Sequence, residues 1–227
     1  MKKVDYIIVG CGYAGIFFAH QLIKNRKTFL LFTGRNQPAS QVSAGIVNPV
    51  VLKKFTSFWK AQEQIHLLHQ TLAEIQEYLG KNYFISAPVN RVFHNEDEKK
   101  LWLLKSETPE LQTFLSKNIR YSTEIENQYG MGEVLQSGRL EVMSFFADFH
   151  TYLHEHTLAV TENFNYDELN ISTNSYQDIT FKHLVFCEGM GVCNNPFFKD
   201  IPVHPNKGHH LVVKLSSPPK DAVVFKK

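Results

Sequence analysis

The amino-acid sequence predicts an α/β protein: a doubly wound, mostly parallel sheet joined to a second, mainly antiparallel (α+β) unit. Three observations carry this expectation. The opening segment orders an apolar run Tyr6–Val9, a turn Gly10-Cys11-Gly12-Tyr13-Ala14-Gly15, a helical pattern from Ile16 to Asn25 and a second apolar run Thr28–Phe32. Far downstream, Leu184-Val185-Phe186 halts at Cys187-Glu188-Gly189-Met190-Gly191, a second strand running into a glycine-rich turn. Finally, 227 residues with 43% hydrophobic and 20% charged content can bury a full core and are not disordered.

The opening segment is more than a glycine pattern, because strand, turn, helix and strand follow in the order a dinucleotide-binding unit needs. Gly10 permits the sharp turn out of the strand. Gly12 lets backbone approach a pyrophosphate, and Gly15 lets the helix pack against the sheet. Tyr13 and Ala14 complete the turn, and the helix offers unpaired N–H groups and a positive dipole end to phosphates. Folds of this kind place an acid at the end of the second strand to accept from ribose hydroxyls. Here Thr33 stands there, followed by Gly34-Arg35. The arginine offers charge to a 2′-phosphate, so an NADP ligand stays open at this point.

Composition narrows the classes. A net charge of +2 gives no warrant for a nucleic-acid or membrane surface. The 13% aromatic share, with 18 Phe, fits a sizeable apolar pocket and a generously packed core equally. Cys11, Cys187 and Cys193 show no metal-ligand or CxxC spacing, which predicts free thiols and a cytoplasmic protein. Lys2-Lys3 before an apolar run mimics a secretory signal, but Asp5 and three glycines interrupt it. No stretch approaches the ~20 apolar residues of a membrane helix.

Along the chain, Ala39-Ser40-Gln41-Val42-Ser43-Ala44-Gly45-Ile46 has so little side-chain volume that backbone can run close to something large and flat, although a plain loop reads the same way. Apolar residues at Phe58, Ile65, Leu68, Leu72, Ile75 and Leu79 predict a helix closed by Gly80. A strand is expected over 84–93 with Pro88 at an edge or bulge. A charged turn over 95–100 and short helices at 101–104 and 109–115 come next, the second capped by Thr108. Residues 121–135 are indistinct. Gly138 to Val142 leads into a helix over 143–158, then strands near 158–161 and 164–171, a hairpin through 172–178 and the run ending at Phe186. Strands are also expected at 210–215 and from Ala222, with a turn between. Because that last strand barely begins before Lys227, the sequence reads as part of something longer. The expected units are 1–82 with 138–203, and 83–137 with 204–227.

These signals together resemble the flavin-dependent oxidoreductases of the D-amino-acid oxidase and glycine oxidase type. The likeness rests on the Gly10–Gly15 turn, the small-residue stretch Ala39–Gly45, Gly138-Arg139-Leu140-Glu141-Val142 before a helix, the strand Leu184 to Gly189, and Pro202 with Lys207-Gly208. The resemblance implies a Rossmann-like FAD-binding domain interrupted by an antiparallel substrate domain. By position it implies Gly10, Gly12 and Gly15 at the pyrophosphate and Thr33 at the ribose. Ser40, Ser43, Ala44, Gly45 and Ile46 fall along the flavin with Gly189 nearby, and Tyr166 falls at the adenine end. It also implies a C-terminal glycine-arginine-proline segment and a substrate-binding arginine, neither of which occurs before Lys227.

The implied reaction moves hydride from the carbon beside an amine, in an amine or amino-acid substrate, to the flavin. No catalytic residue is written in the sequence. Glu188 could take a proton beside a flavin, but an acid stabilised by the dipole of a helix N-terminus is the favoured reading. His150, His154 and His156 have zinc-like spacing without a completing acid or cysteine, so no metal is expected. Two other classes stand beside the oxidase: a flavin domain serving tRNA wobble-uridine modification, which calls for a basic face, and a non-catalytic nucleotide-binding protein.

Overall fold

The computed structural model describes residues 2–35, 37–209, 211–217 and 224–227. The fold is mixed α/β with several sheets, and the chain forms two compact units, Met1–Ser43 with Val142–Leu211, and Ala44–Glu141 with Val212–Lys227. The first unit opens with β1 (Lys2–Val9), α1 (Tyr13–Lys24), β2 (Phe29–Phe32) and a 3-10 turn over Ala39–Val42. The chain then builds the second unit: β3 (Ile46–Val47), β4 (Val50–Val51), β5 (Thr56–Ser57), α2 (Ala61–Leu79), β6 (Phe84–Ile85) and β7 (Val89–Val92). That unit continues with α3 (Glu96–Ser106), β8 (Leu115–Arg120), β9 (Met131–Val134) and β10 (Gly138–Leu140). The first unit resumes with α4 (Val142–Glu155), β11 (Ala159–Val160), β12 (Leu169–Asn170), β13 (Ser175–Tyr176) and β14 (Ile179–Phe186), while β15 (Val224–Lys226) returns to the second.

The sheet of the first unit runs β11-β2-β1-β14-β13-β12. Its first four strands are parallel, and β13 and β12 fold back antiparallel. Register matters most here. Val9 lies opposite both Phe32 and Phe186, and Val160 lies opposite Phe32, so the carboxyl ends of the parallel strands finish in one row. The apolar runs of β1 and β2 are nearly continuous because both faces are covered. Ile7, Val9, Leu30 and Phe32 pack in one cluster with Tyr176, Ile179 and Phe181. Ile8 and Leu31 are also fully buried, and the Tyr6 ring meets Phe18 of α1 edge-on at 5.6 Å. Helix α4 buries Val142, Phe145, Phe146, Phe149 and Leu153, a single stripe at helical spacing. Its rings reach α1 through Phe17–Phe145 and Tyr13–Phe146.

The units differ from the expected ones: 44–82 and 138–141 belong to the second unit, and 204–209 to the first. Segment 44–82 was expected in the first unit. Instead Ile46 and Val47 pair with β10, and Val50, Leu52, Phe55 and Ala61 are buried with Val89, Phe93 and Trp102. Pro88 splits the expected 84–93 strand in two, β6 pairing with β10 and β7 with β9 in a different sheet. The expected charged turn at 95–100 is the start of one helix, α3. The Asn95 side chain accepts from Glu98 N at 2.8 Å, and Glu96, Asp97 and Glu98 sit on the favourable end of the dipole. Residues 109–114 make turns rather than a second helix, with the Thr108 hydroxyl donating back to the Lys105 carbonyl at 2.8 Å. No strand forms over 211–215, while the expectations for His210 and for 218–223 lie outside the described residues.

Glu98 ties α3 to β7. Burial pushes its carboxyl up, but hydrogen bonds from the His94 backbone, Arg91 and the His94 ring outweigh that, and the net shift is downward. A lowered folded value means stability that is present above the ordinary glutamate value of 4.5 and lost as pH falls below it. Denaturant midpoints measured from pH 7 to pH 3 should therefore show a decline that Glu98→Gln makes shallower, at a cost of roughly 1–3 kcal/mol at pH 7.

Candidate functional site

The row of strand ends opens onto a cleft of about 1230 Å³ in the first unit. It is lined by residues 9–14 after β1, 32–34 after β2, 37–40 of the following turn, Asn163, Phe164 and Tyr166, and 184–192 with Asn194 around the end of β14.

Three glycines shape its floor in three ways. Gly10 has φ +104°, a region L side chains avoid, and a Cβ there would run into the Cys187 carbonyl. Gly15 is buried, and a Cβ on it would run into the Gly10 carbonyl oxygen, so α1 starts in direct contact with the turn. Gly12 has an ordinary φ of −71°, and a Cβ there would come within 3.0 Å of Ser40 Oγ. The first α1 bond is Ile16 N to Gly12 O at 3.0 Å, which leaves the amides of Ala14 and Gly15 without an intrahelical acceptor. Tyr13 N donates to Ser40 Oγ at 3.1 Å.

Of the residues singled out from sequence, Gly10, Gly12, Tyr13, Ala14, Thr33, Gly34, Ser40, Tyr166 and Gly189 line this cleft. Gly15 lies beneath it. Ser43 is not among the lining residues; its hydroxyl bonds the Tyr13 phenol at 3.0 Å. Ala44, Gly45 and Ile46 belong to the second unit, where the Gly45 carbonyl accepts from Leu140 N and Ile46 pairs with Arg139. Thr33 turns its hydroxyl toward backbone carbonyls, of Gly34 at 3.1 Å and Val160 at 3.3 Å. Its proton is therefore committed to backbone. Arg35 N donates to Asn163 Oδ1 at 3.0 Å, fixing the rim beside Gly34. Burial pushes the thiols of Cys11 and Cys187 up, so neither is a ready thiolate.

One arrangement escaped the sequence reading. Glu188 opens the 3-10 turn Gly189–Asn194, but its carboxylate does not cap that turn. The Tyr166 phenol donates to Oε1, and Asn195 Nδ2 donates to Oε2 at 2.6 Å. Asn195 is completely buried and accepts from Phe197 N at 2.9 Å, so the carboxylate is held from below. Burial, and then the carboxylate it faces, raise the Tyr166 phenol far above its usual value, which keeps its proton on oxygen. Glu188 is the one charged side chain among the described residues lining the cleft.

The histidines on α4 and just after it each have their own surroundings. His150 is partly buried and pushed down by burial and by His154. His154 Nε2 lies 3.4 Å from Thr161 Oγ1, and His156 Nδ1 lies 2.8 Å from the Tyr152 carbonyl. Among the described residues no group of three His, Cys, Asp or Glu is placed to hold a metal ion. Nor is any helix among them long and apolar enough to cross a membrane.

No family model matches the chain. Solved structures do share its fold. Glycine oxidase from Geobacillus kaustophilus superposes with a TM-score of 0.60 at 15% identity, covering 88% of this chain and 59% of that one. L-amino acid deaminase from Proteus vulgaris gives 0.59 at 14%, covering 84% and 48%. L-proline dehydrogenase from P. horikoshii gives 0.53 at 13%, covering 89% and 57%. The chain thus spans about half to three-fifths of the length of the proteins it resembles, and at these identities the likeness is one of fold.

Proposed function

We propose that the first unit is a Rossmann-like domain that binds FAD, and that the chain serves an FAD-dependent oxidoreductase acting on the CH–NH bond of an amine or amino acid. The observation that carries this is the Gly10–Gly15 turn. It lies between β1 and α1 at the ends of parallel strands, with Gly12 bare of side chain and the Ala14 and Gly15 amides unclaimed within the helix. The fold shared with an oxidase, a deaminase and a dehydrogenase of amino acids supports the substrate class. The residues fit the group. Gly10 makes the turn and Gly12 is bare of side chain where a diphosphate would approach, its charge meeting backbone amides and a helix dipole rather than a lysine or arginine. Phe164, Tyr166 and Phe186 give the cleft aromatic walls. When bound, the flavin supplies the hydride acceptor. The protein's part is to hold the two phosphates, orient the nucleoside and keep the strand ends dry.

Purified protein incubated with FAD should retain the yellow flavin spectrum through gel filtration and quench its fluorescence. Protein that passes FAD unbound at tens of micromolar would refute the reading. Gly12→Ala is expected to weaken FAD at least ten-fold with the melting temperature little changed. The added methyl forces Ser40 aside and occupies the diphosphate's approach, while φ at 12 suits any residue.

A further inference from the structure

The cleft lacks an acid where a nucleoside diol would normally find one, and it has an acid somewhere else. A ribose offers two hydroxyl donors and needs an acceptor with free lone pairs. At the end of β2 that place is taken by Thr33, whose proton goes to a backbone carbonyl, of Gly34 or Val160, and whose oxygen can accept only as an uncharged group. At the end of β14, two strands away in the row, Glu188 lines the same cleft. Each of its oxygens accepts once, from Tyr166 and from Asn195, and each keeps a further lone pair. The two donors fix the carboxylate's orientation without neutralising it, and Asn195 is itself pinned by Phe197 N. A carboxylate oriented in this way, with no cation among the described lining residues, keeps acceptor capacity for a further donor.

We infer that Glu188, set by Tyr166 and Asn195, is the acceptor for the adenosine ribose hydroxyls, in place of an acid at the end of β2. The inference rests on the proposed nucleotide site and names its specificity. It carries a consequence for the ligand's identity: a carboxylate at the ribose repels a 2′-phosphate, so the site selects FAD or a 2′-hydroxyl nucleotide over NADP despite Arg35.

The test is calorimetric binding of ADP and of 2′,3′-dideoxy-ADP to the whole chain. The wild-type protein should bind ADP about ten-fold or more tighter than the dideoxy analogue. Glu188→Gln should bind the two within about two-fold of each other, and Glu188→Asp should fall between. Equal affinities in the wild type, or discrimination that survives in a Glu188→Gln protein with an unchanged near-UV spectrum, would overturn the inference. If Glu188→Gln fails to fold, Glu188→Asp carries the comparison, and a ratio there as large as in the wild type overturns the inference. Protein that binds FAD but treats the two ADP forms alike sinks only the ribose assignment. Protein that binds neither FAD nor ADP sinks the nucleotide site with it.

Discussion

Gly15→Ala is expected to lower stability by roughly 3–5 kcal/mol, a large share of the ~5–15 kcal/mol that holds a typical domain folded. The methyl has no free volume to enter: it is aimed at the Gly10 carbonyl oxygen, and the Cys187 side chain lies 3.5 Å away on the other side. Neither neighbour is a flexible tip. The Gly10 amide is bonded to the Phe32 carbonyl at 2.9 Å and the Cys187 amide to the Val9 carbonyl at 2.7 Å, so moving either one pulls on the sheet. Relief requires α1 to lift off the strands, undoing the burial of Ile16, Ala19 and Leu22. Urea denaturation followed by far-UV circular dichroism checks this. A loss under about 1 kcal/mol would show that the helix start is looser than described. The contrast with Gly12→Ala is part of the expectation: the same chemical change three residues apart should cost stability in one case and ligand affinity in the other.

Trp102→Ala is expected to cost a comparable ~3–5 kcal/mol, this time in the second unit. The Trp102 ring is completely buried, meets Phe55 and Phe93 edge-on at 5.3 and 5.6 Å, and its Nε1 donates to the Ser116 carbonyl at 2.9 Å. Gly132 on β9 has no side chain beneath it, and a Cβ there would penetrate the indole. Truncation leaves a ring-sized void and an unpaired carbonyl on β8. Because Trp59 is 76% exposed, the blue-shifted part of the intrinsic fluorescence belongs to Trp102 and reports this unit alone. Trp102→Phe should recover more than half of the loss.

The parts of this molecule that could be read from sequence are those where neighbours in sequence decide the structure. The β1–turn–α1–β2 segment follows from runs of apolar residues separated by glycines, and α4 follows from the five-residue stripe ending at Leu153. The rest depends on partners far away. Nothing local distinguishes Val50, Leu52 and Phe55 from a loop; they become core only because Trp102 lies across from them. Pro88 announces a break but not that the two halves enter different sheets. Helix α3 was obscured by its own charges, although Asn95 three residues before Glu98 is a capping signal that could have revealed it. Tyr166 and Glu188 are 22 residues apart and meet only because a hairpin and β14 bring them to one rim. Each was visible alone, Tyr166 by its position and Glu188 by its charge, but their hydrogen bond was not.

The ordinary backbone at position 12 has an implication for how this sequence can drift over time. Positions 10 and 15 are held to glycine by the chain's own backbone, whatever the protein does, whereas 12 has a φ any residue adopts and a Cβ there is crowded only by the Ser40 hydroxyl, a side chain that can move. Descendants that had abandoned their small-molecule occupant would be free to fill that one site while keeping its two companions. Position 12 is therefore the place in the turn where lineages that retained the occupant would part from lineages that lost it.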